Sequence, residues 1–386
     1  MEDQKSLQSG NEVSQFHLMD LPAVVLHVIL FRLPINSIMN VKLVCRAFYK
    51  LISNPDFALN YSKNSPFASL LRRGYSKLPT FNLLEISDND EGIRTICKPN
   101  IPGWSKTDSI LYIVGTCNGL LCLSEYKCQC QTRIIYIWNP IMGECMALPE
   151  PKIKHGELSV VYGFGFCSST NNYKVLRIFD KSRVEHVEGE GEILTIGVDD
   201  KWRVLDRVAN PTIPITSASS NSVNLNDALH WLVNDNDSTW ISTFDIGEEK
   251  IGRLSHPHGL VLNLCMMTSI NNQLCLVDTS DLFKIVVWKM KKYGVAQSWT
   301  KDLVLDNSIS PMMQLRWLSL VTILENGDML FSHPKEDYTI SYSTTKRELT
   351  RIKVPCFGSI DYSPNFLSLK EIITGGHLST IKVLSK

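Results

Sequence analysis

Few residues of this 386-residue chain have the types and spacing that chemistry requires. Its nine histidines form no HExxH zinc site, and the chain contains neither a GxSxG nucleophile motif nor a GxxxxGK[ST] phosphate loop. His256 and His258 are the one close histidine pair, and the proline between them favours a turn in a loop over a metal site. Cys128 and Cys130 are separated by one residue, which is poor spacing for zinc. The sequence therefore predicts no catalytic residue, no metal site and no cofactor.

Two other sets of polar residues could be considered for catalysis, but their patterns favour other roles. His230 lies in a stretch with the pattern of a strand, which favours a structural role over that of a general base. Two glycines are interleaved with a group of four glutamates, which predicts a mobile acidic loop that could meet a basic patch on another protein. These glutamates are Glu185, Glu188, Glu190 and Glu192.

Composition excludes several classes of partner. Thirty-nine basic residues balance thirty-nine acidic ones, so no overall field favours nucleic acid or an anionic membrane. The longest apolar run, Leu18 to Leu33, contains His27 and Arg32 and is too short to span a bilayer. The eleven cysteines are scattered and odd in number, which indicates reduced thiols. We expect a soluble protein of the cytoplasm, the nucleus or both.

The stretch from Leu18 to Ser53 has the pattern of three short helices. Two Leu-Pro steps, at Pro22 and Pro34, divide it, and apolar residues recur between them at helical spacing. Asp20 and Asn36 are the expected N-caps of the first two helices. Three such short helices carry more apolar surface than they can bury among themselves, so the pattern predicts a partner that covers the rest.

These residues resemble an F-box, the module that binds the adaptor of SCF-type ubiquitin ligases, in its plant form. Matches include Leu21-Pro22, Leu33-Pro34 and Val44-Cys45, whereas Ala23-Val24 replaces an acidic pair and Phe48 stands where tryptophan is usual. The resemblance implies contact with a Skp1-like adaptor. The adaptor-binding residues that it implies are Leu21, Pro22, Leu26, Ile29, Leu30, Leu33, Pro34, Ile38, Leu43, Val44 and Cys45. An ordinary three-helix piece of a larger core is the alternative interpretation.

Short strands fill the remainder of the chain and repeat with a period of roughly 45–55 residues, as in kelch-type propellers. Each unit begins with a turn and an apolar strand, and five units can be counted. They begin at Asn118, Asn172, Asn226, Asn272 and Asn326. We expect a sixth unit that combines strands from Phe81 to Ile96 with a returning strand at Phe366–Leu369, because closing the ring removes two unpaired sheet edges.

Four stretches extend the resemblance to the F-box-associated interaction domain of plant F-box proteins. They are GTCNGLLCL from Gly115, IWNP from Ile137, GFGF from Gly163 with NYKVLRI from Asn172, and YGVAQSWTK from Tyr293. Each also has a physical role: Asn118-Gly119 suits a tight hairpin, and Trp138, Trp231, Trp288 and Trp299 are expected to pack between blades with their indole N–H groups bonded to carbonyls.

The expected fold is mainly β: a three-helix F-box followed by a propeller of six kelch-like blades. The expected divisions are a disordered tail (1–16), the F-box (17–60), a helical joint (61–78), the propeller (79–372) and a C-terminal tail (373–386). The resemblance implies a non-catalytic substrate receptor that reaches a cullin and a RING protein through the adaptor, while loops of the propeller hold an unidentified target protein. A scaffold or competitor acting outside ubiquitination, and a propeller enzyme, are the alternatives.

Overall fold

The structure is a computed structural model. It describes residues 18–64, 67–73, 81–87, 93–97, 101–102, 109–127, 132–151, 160–179, 191–205, 222–235, 238–260, 262, 265–270, 272–306, 315, 318–324, 327–333, 338–352, 359–373 and 383–385. The expected N-terminal tail and the Cys128/Cys130 pair lie outside these residues.

Four helices form the N-terminal part. They are α1 (Ala23–Phe31), α2 (Ile35–Val44), α3 (Arg46–Ile52) and α4 (Pro55–Asn64). Prolines mark three of the starts, because a proline at this point removes no N–H that the helix would otherwise bond. Pro22 and Pro34, not Asp20 and Asn36, occupy the N-cap positions of α1 and α2. The expected three helices are present, and α4 follows them as a fourth.

The described strands form six antiparallel sheets, which we number 1 to 6 in the order of the chain. Sheet 1 contains β24 (Ser359–Asp361), β1 (Phe67–Arg73), β2 (Phe81–Ser87) and β3 (Ile93–Cys97). Sheet 2 contains β4 (Ser109–Cys117), β5 (Leu120–Lys127), β6 (Thr132–Asn139), β7 (Glu144–Ala147) and β25 (Val383–Ser385). Sheet 3 contains β8 (Val160–Cys167), β9 (Asn172–Phe179), β10 (Gly191–Thr195) and β11 (Arg203–Leu205).

The other three sheets are four-stranded meanders in which each strand pairs with its neighbour in sequence. Sheet 4 contains β12 (Val223–Leu225), β13 (Ala228–Asp235), β14 (Ser238–Asp245) and β15 (Lys250–Leu254). Sheet 5 contains β16 (Cys265–Ile270), β17 (Gln273–Asp278), β18 (Lys284–Met290) and β19 (Trp299–Asp306). Sheet 6 contains β20 (Ser319–Ile323), β21 (Met329–Ser332), β22 (Thr339–Ser343) and β23 (Glu348–Ile352). A last helix, α5 (Leu369–Ile373), lies between β24 and β25.

The sheets pack in a ring, and buried apolar side chains fill the space between consecutive sheets. Between sheets 6 and 1, for example, Leu330 of β21 packs with Leu84 and Ile86 of β2. On the other side of β2, Leu83 packs with Leu121 of sheet 2. Because residues of one strand take part in both cores, sheet 1 joins the two ends of the propeller.

Three expectations are corrected. Five sheets are regular four-stranded blades and sheet 2 has five strands, so five blades, not the expected six, have the four-stranded form of a kelch-like blade. The segment 61–78, expected to be a helical joint, contains β1, which pairs along its whole length with β2. The C-terminal tail from 373 contains β25, which adds to β7 at the edge of sheet 2. In all three cases the structure depends on pairing with strands that are distant in the sequence, and local periodicity does not reveal such pairing.

The closing strand also differs from the one expected. β24 (Ser359–Asp361) pairs with β1, whereas Phe366–Leu369 forms a bend and the first residue of α5. Phe366 and Leu369 are nevertheless fully buried, Phe366 in the core beside the N-terminal helices. The N- and C-terminal strands thus combine in one sheet as expected, but through other residues.

The hairpin and tryptophan expectations can be compared directly. Asn118 and Gly119 both have positive φ, at 46° and 74°, which confirms the tight hairpin. The indole N–H groups of Trp231 and Trp299 donate to the carbonyls of Tyr162 and Ser255, at 3.4 and 2.9 Å. The indole N–H groups of Trp138 and Trp288, in contrast, have no hydrogen-bond partner among the described residues.

Candidate functional site

Helix α1 is apolar on all sides but is covered on only one. Its nine residues, AVVLHVILF, include no charged side chain. Leu26 and Leu30, four residues apart, are 3% and 1% exposed and face the interior. Val24 and Val28, also four residues apart, are 73% and 51% exposed on the opposite side. A helix with this composition is normally covered all round, so α1 presents a face that lacks its cover.

The end of α2 presents a second exposed apolar group. Leu43 is 81% exposed and Val44 is 71% exposed. Together with Val24, at 73%, they are the three most exposed large apolar side chains in the described residues. Cys45, which follows, is also exposed. Lys42 separates this group from the rest of α2 because its side chain turns inward and is buried. We call Val24, Val25, Val28, Ile29, Leu43 and Val44 the exposed apolar surface of the helices.

The eleven residues expected to bind the adaptor divide by burial. Pro22, Ile29, Leu43, Val44 and Cys45 are exposed, and Leu21, Leu33 and Pro34 are half-buried. Leu26, Leu30 and Ile38 are buried within this chain, Leu30 and Ile38 in the core shared with the propeller. Their side chains position the helices and do not reach the surface.

Sequence reasoning missed part of the exposed apolar surface. Val24, Val25 and Val28 were not among the expected residues, although each lies in the same uncharged run as Ile29. Periodicity could not identify the exposed side, because a helix that is apolar all round has no polar face to mark solvent. The absence of charge along α1 was the available signal.

The covered side of the helices packs directly on the propeller. Phe57 and Tyr61 of α4 form edge contacts with Phe366, with ring centroids 6.0 and 5.3 Å apart. Buried Lys42 donates from Nζ to the Phe366 carbonyl at 2.7 Å. The Glu85 carboxylate on β2 accepts the backbone N–H of Ile35 at 3.0 Å, at the start of α2. Helices and propeller therefore share one apolar core.

These contacts lie at one end of the propeller. Each of sheets 2–6 begins with its innermost strand and continues as a meander, so the first hairpin of every sheet lies at the same end, which we call the turn end. Asn365 donates from Nδ2 to the Asn118 carbonyl at 2.6 Å, and Tyr362 donates to the Gly119 carbonyl at 3.0 Å. The C-terminal segment thus crosses the turn end beside the helices. The last strand of each of sheets 2–5 ends, and the first strand of the next sheet begins, at the other end, which we call the loop end.

The polar residues considered for chemistry have structural partners. The imidazole of His230 is buried between the Val223 carbonyl (3.0 Å from Nδ1) and the Tyr293 hydroxyl (2.8 Å from Nε2), and burial lowers its pKa. His256 contacts the Thr239 hydroxyl at 2.8 Å, within a loop as expected. No group of three or more His, Cys, Asp or Glu side chains in the described residues is arranged to hold a metal ion.

One of the four acidic-loop residues is misplaced by the sequence interpretation. Glu192 is a fully buried residue of β10, and its carboxylate forms an ion pair with buried Arg177 of β9. Burial of a charge requires such a partner, so Glu192 is structural and does not belong to a solvated loop. Glu185, Glu188 and Glu190 lie outside the described residues. Among the described helices, none is long and apolar enough to cross a membrane.

Comparisons with known proteins assign both parts of this architecture. Residues 75–358 match the F-box associated beta propeller domain. The chain belongs to the F-box associated beta propeller family. Residues 18–60 of this F-box protein match the F-box domain, which includes α1, α2 and α3. The exposed apolar surface therefore lies on the F-box.

The chain is similar to two plant F-box proteins and, more weakly, to a solved structure. An F-box protein of Arabidopsis thaliana is 25% identical over 357 residues, covering 82% of this chain and 83% of the relative. An F-box/kelch-repeat protein of the same plant is 25% identical over 336 residues, covering 79% and 85%. The structure of TolB from Acinetobacter baumannii aligns with a TM-score of 0.43 at 13% identity, covering 77% of this chain and 66% of TolB.

Proposed function

We propose that this F-box protein is the substrate-recognition subunit of an SCF-type E3 ubiquitin ligase. In this proposal the F-box binds a Skp1-like adaptor, which links it to a cullin and a RING protein. The chain itself supplies no nucleophile and acts in the cytoplasm, the nucleus or both. Its family membership and its F-box domain support the proposal at the level of the protein class.

The observation that carries the proposal is the exposed apolar surface of the F-box. Val24, Leu43 and Val44 are each more than 70% exposed, although the same helices bury Leu30 and Ile38 in the chain's own core. Large apolar side chains grouped in this way mark a site of protein contact. Burying each of them against an adaptor is favourable by roughly 1–2 kcal/mol. The residues proposed to contact it are Pro22, Ile29, Leu43, Val44 and Cys45, together with Val24, Val25 and Val28.

We assign target binding to the loop end of the propeller. The F-box and the C-terminal segment occupy part of the turn end, where connections such as 118–119 and 226–227 are only two residues long. Connections between sheets, such as 206–222, are much longer and can vary without loss of the blades. A target held there is separated from the adaptor by the height of the ring. Ubiquitin transfer then depends on proximity, which raises the effective concentration of a target lysine near the E2 thioester.

Reconstitution with purified components tests the adaptor step. The full chain, co-expressed with a Skp1-like adaptor, should form a one-to-one complex that also recruits a cullin and a RING protein. Failure to bind any Skp1-like adaptor, with the chain folded, would refute the proposal.

Target degradation needs a separate measurement. Deletion of the gene should raise the abundance of proteins that co-purify with this chain when the proteasome is inhibited. A bound partner whose abundance and half-life are unchanged by the deletion would instead indicate a scaffold or competitor that acts outside ubiquitination.

A further inference from the structure

The connection between β17 and β18 carries an exposed apolar pair at the loop end of the propeller. It consists of residues 279–283, and Leu282 and Phe283 at its tip are each 41% exposed. The second and third strands of a sheet are joined at the end opposite its first hairpin, so this connection lies away from the F-box. Within the described part of the propeller, no other two consecutive large apolar side chains are both exposed.

The two neighbouring sheets show how an aromatic ring is covered at this end. In sheet 4 the guanidinium of Arg253 lies over the ring of Trp240, 3.8 Å from the ring centroid. In sheet 6 the guanidinium of Arg351 lies over the ring of Tyr338, 4.9 Å from the ring centroid. A cation over the face of an aromatic ring is attracted by the negative charge density of that face. Both sheets thus supply a cation to their own aromatic residue.

Sheet 5 has no arginine at the corresponding position. In sheets 4 and 6 the arginine lies on the outermost strand, opposite the residue that follows the aromatic residue by two positions. The residue two positions after Phe283 is Ile285, and Leu305 of β19 lies opposite it. Leu305 is uncharged and is buried in the core between sheets 5 and 6. The outermost strand therefore supplies no cation to Phe283 at this position.

The charges around the connection are mainly negative. Asp278 and Asp281 lie at its start and within it, and Asp306 ends β19. Lys284, which lies opposite Asp306, is the one cation that flanks the connection in sequence or in strand pairing. Oδ1 of Asp278 and Oδ1 of Asp281 accept backbone N–H groups of the connection at 3.0 and 2.9 Å, which holds the loop and leaves both charges in place. Three carboxylates and one ammonium favour a cationic partner.

We propose that Leu282 and Phe283 bind a segment of the target protein that carries an arginine beside an apolar residue. The arginine of the target lies over the Phe283 ring, as an arginine of the chain itself covers the aromatic ring in sheets 4 and 6. Its charge complements the net negative charge of the connection, and its apolar neighbour covers Leu282. This inference rests on the proposed function, because it names the place at the loop end that holds the target.

Selection from a displayed library of random heptapeptides tests the inference on the full chain, without an adaptor. The selected peptides should be enriched at least about fivefold over the starting library in arginine next to an aliphatic or aromatic residue. A labelled synthetic peptide of the most enriched sequence is then the probe for fluorescence anisotropy. Replacing its arginine by citrulline, which has nearly the same shape but no charge, should weaken binding about tenfold.

Two variants connect this binding to the tip of the connection. Phe283→Ala should weaken the peptide at least about tenfold through loss of the ring. Asp278→Asn/Asp281→Asn keeps side-chain oxygens for the N–H groups of the loop but removes both charges. Peptide binding should then weaken about fivefold, and the preference for arginine over citrulline should fall below about threefold. Val198→Ala is the control, because Val198 is exposed, at 57%, in the connection after β10 at the turn end, and it should leave peptide binding unchanged.

Three results would each overturn the inference: selection of no peptide, selection without enrichment in arginine, or unchanged binding in both folded variants of the tip. Binding of a Skp1-like adaptor by the wild type separates this inference from the proposed function. A chain that binds the adaptor but gives one of these three results contradicts the loop-end site alone. A chain that selects arginine peptides through Phe283 but binds no adaptor supports the site and contradicts the proposed function.

Discussion

Removing the apolar side chains at the end of α2 provides the sharpest test of the proposed adaptor binding by the exposed apolar surface. We choose the double variant Leu43→Ala/Val44→Ala because both side chains are exposed, at 81% and 71%, and contribute little to the chain's own core. Full coverage by an adaptor would bury about three carbons of Leu43 and two of Val44. At about 0.8 kcal/mol for each carbon, scaled by its exposure, the variant should lose about 3 kcal/mol of binding free energy.

That loss corresponds to roughly a hundredfold rise in Kd for a Skp1-like adaptor, which isothermal titration calorimetry measures directly. The melting temperature should remain that of the wild type, because exposed side chains are removed. Val198→Ala/Val304→Ala is the matched control, since these valines are also exposed but lie on the propeller. A variant at Leu43 and Val44 that binds the adaptor within threefold of wild type would refute the assignment of the surface.

Three further predictions concern the stability of the chain. In chemical denaturation, Gly119→Ala should lower the free energy of unfolding by at least about 2 kcal/mol more than Gly143→Ala does. Both glycines have positive φ, but a Cβ added at Gly119 would lie 2.3 Å from a carbonyl oxygen of the C-terminal segment. A Cβ added at Gly143 would have no atom within 4 Å. Equal losses would show that the segment does not press on this hairpin. Lys42→Met should cost about 1–3 kcal/mol, because the Phe366 carbonyl loses its buried donor, and a melting temperature equal to wild type would contradict this contact. Burial lowers the pKa of His230 below 6.5, so the unfolded chain takes up a proton at higher pH than the folded chain does. The free energy of unfolding should therefore fall as the pH drops below 6.5, by at most about 1.4 kcal/mol per pH unit. A His230→Gln variant with the same pH dependence would exclude this residue as the cause.

Local features were predictable where one short stretch determines the structure. The Asn118-Gly119 pair specified a tight hairpin because few residues other than asparagine and glycine tolerate positive φ. The Leu-Pro steps likewise marked the starts of α1 and α2, although the prolines themselves took the N-cap positions. In these places backbone sterics outweigh tertiary context.

Features that depend on distant residues were not predictable. Phe67–Arg73 was expected to be helical, but it is a strand because β2 and β24 pair with it, and β24 lies nearly 300 residues away. Glu192 was expected in a solvated loop because glycines are interleaved with the glutamates up to it, yet Arg177 on the neighbouring strand supplies the partner that permits its burial. Strand pairing and buried ion pairs are properties of the assembled ring, which sequence periodicity does not contain.

The shared core also changes how the chain can be divided. In the sequence, helical periodicity gives way to strand patterns near residue 79, which favours dividing the chain there into a helical module and a strand module. In the structure, however, Leu30 and Ile38 of the F-box pack in one cluster with Leu83, Trp138 and other propeller residues. A fragment that begins at residue 79 would lack β1, leave β24 without its partner, and expose this cluster to water.

In the ubiquitin ligase that we propose, the same packing has a consequence for ubiquitin transfer. A flexible joint would let the target sample many positions, so the effective concentration of its lysines near the E2 would be spread over a large volume. Here Lys42, Tyr61 and Phe366 fix the F-box on the turn end through buried contacts. Such contacts open only at a cost in free energy, which opposes movement of the F-box relative to the propeller. The geometry between adaptor and target is then set by the propeller, and the flexibility that ubiquitin transfer needs has to come from the target or from the rest of the ligase.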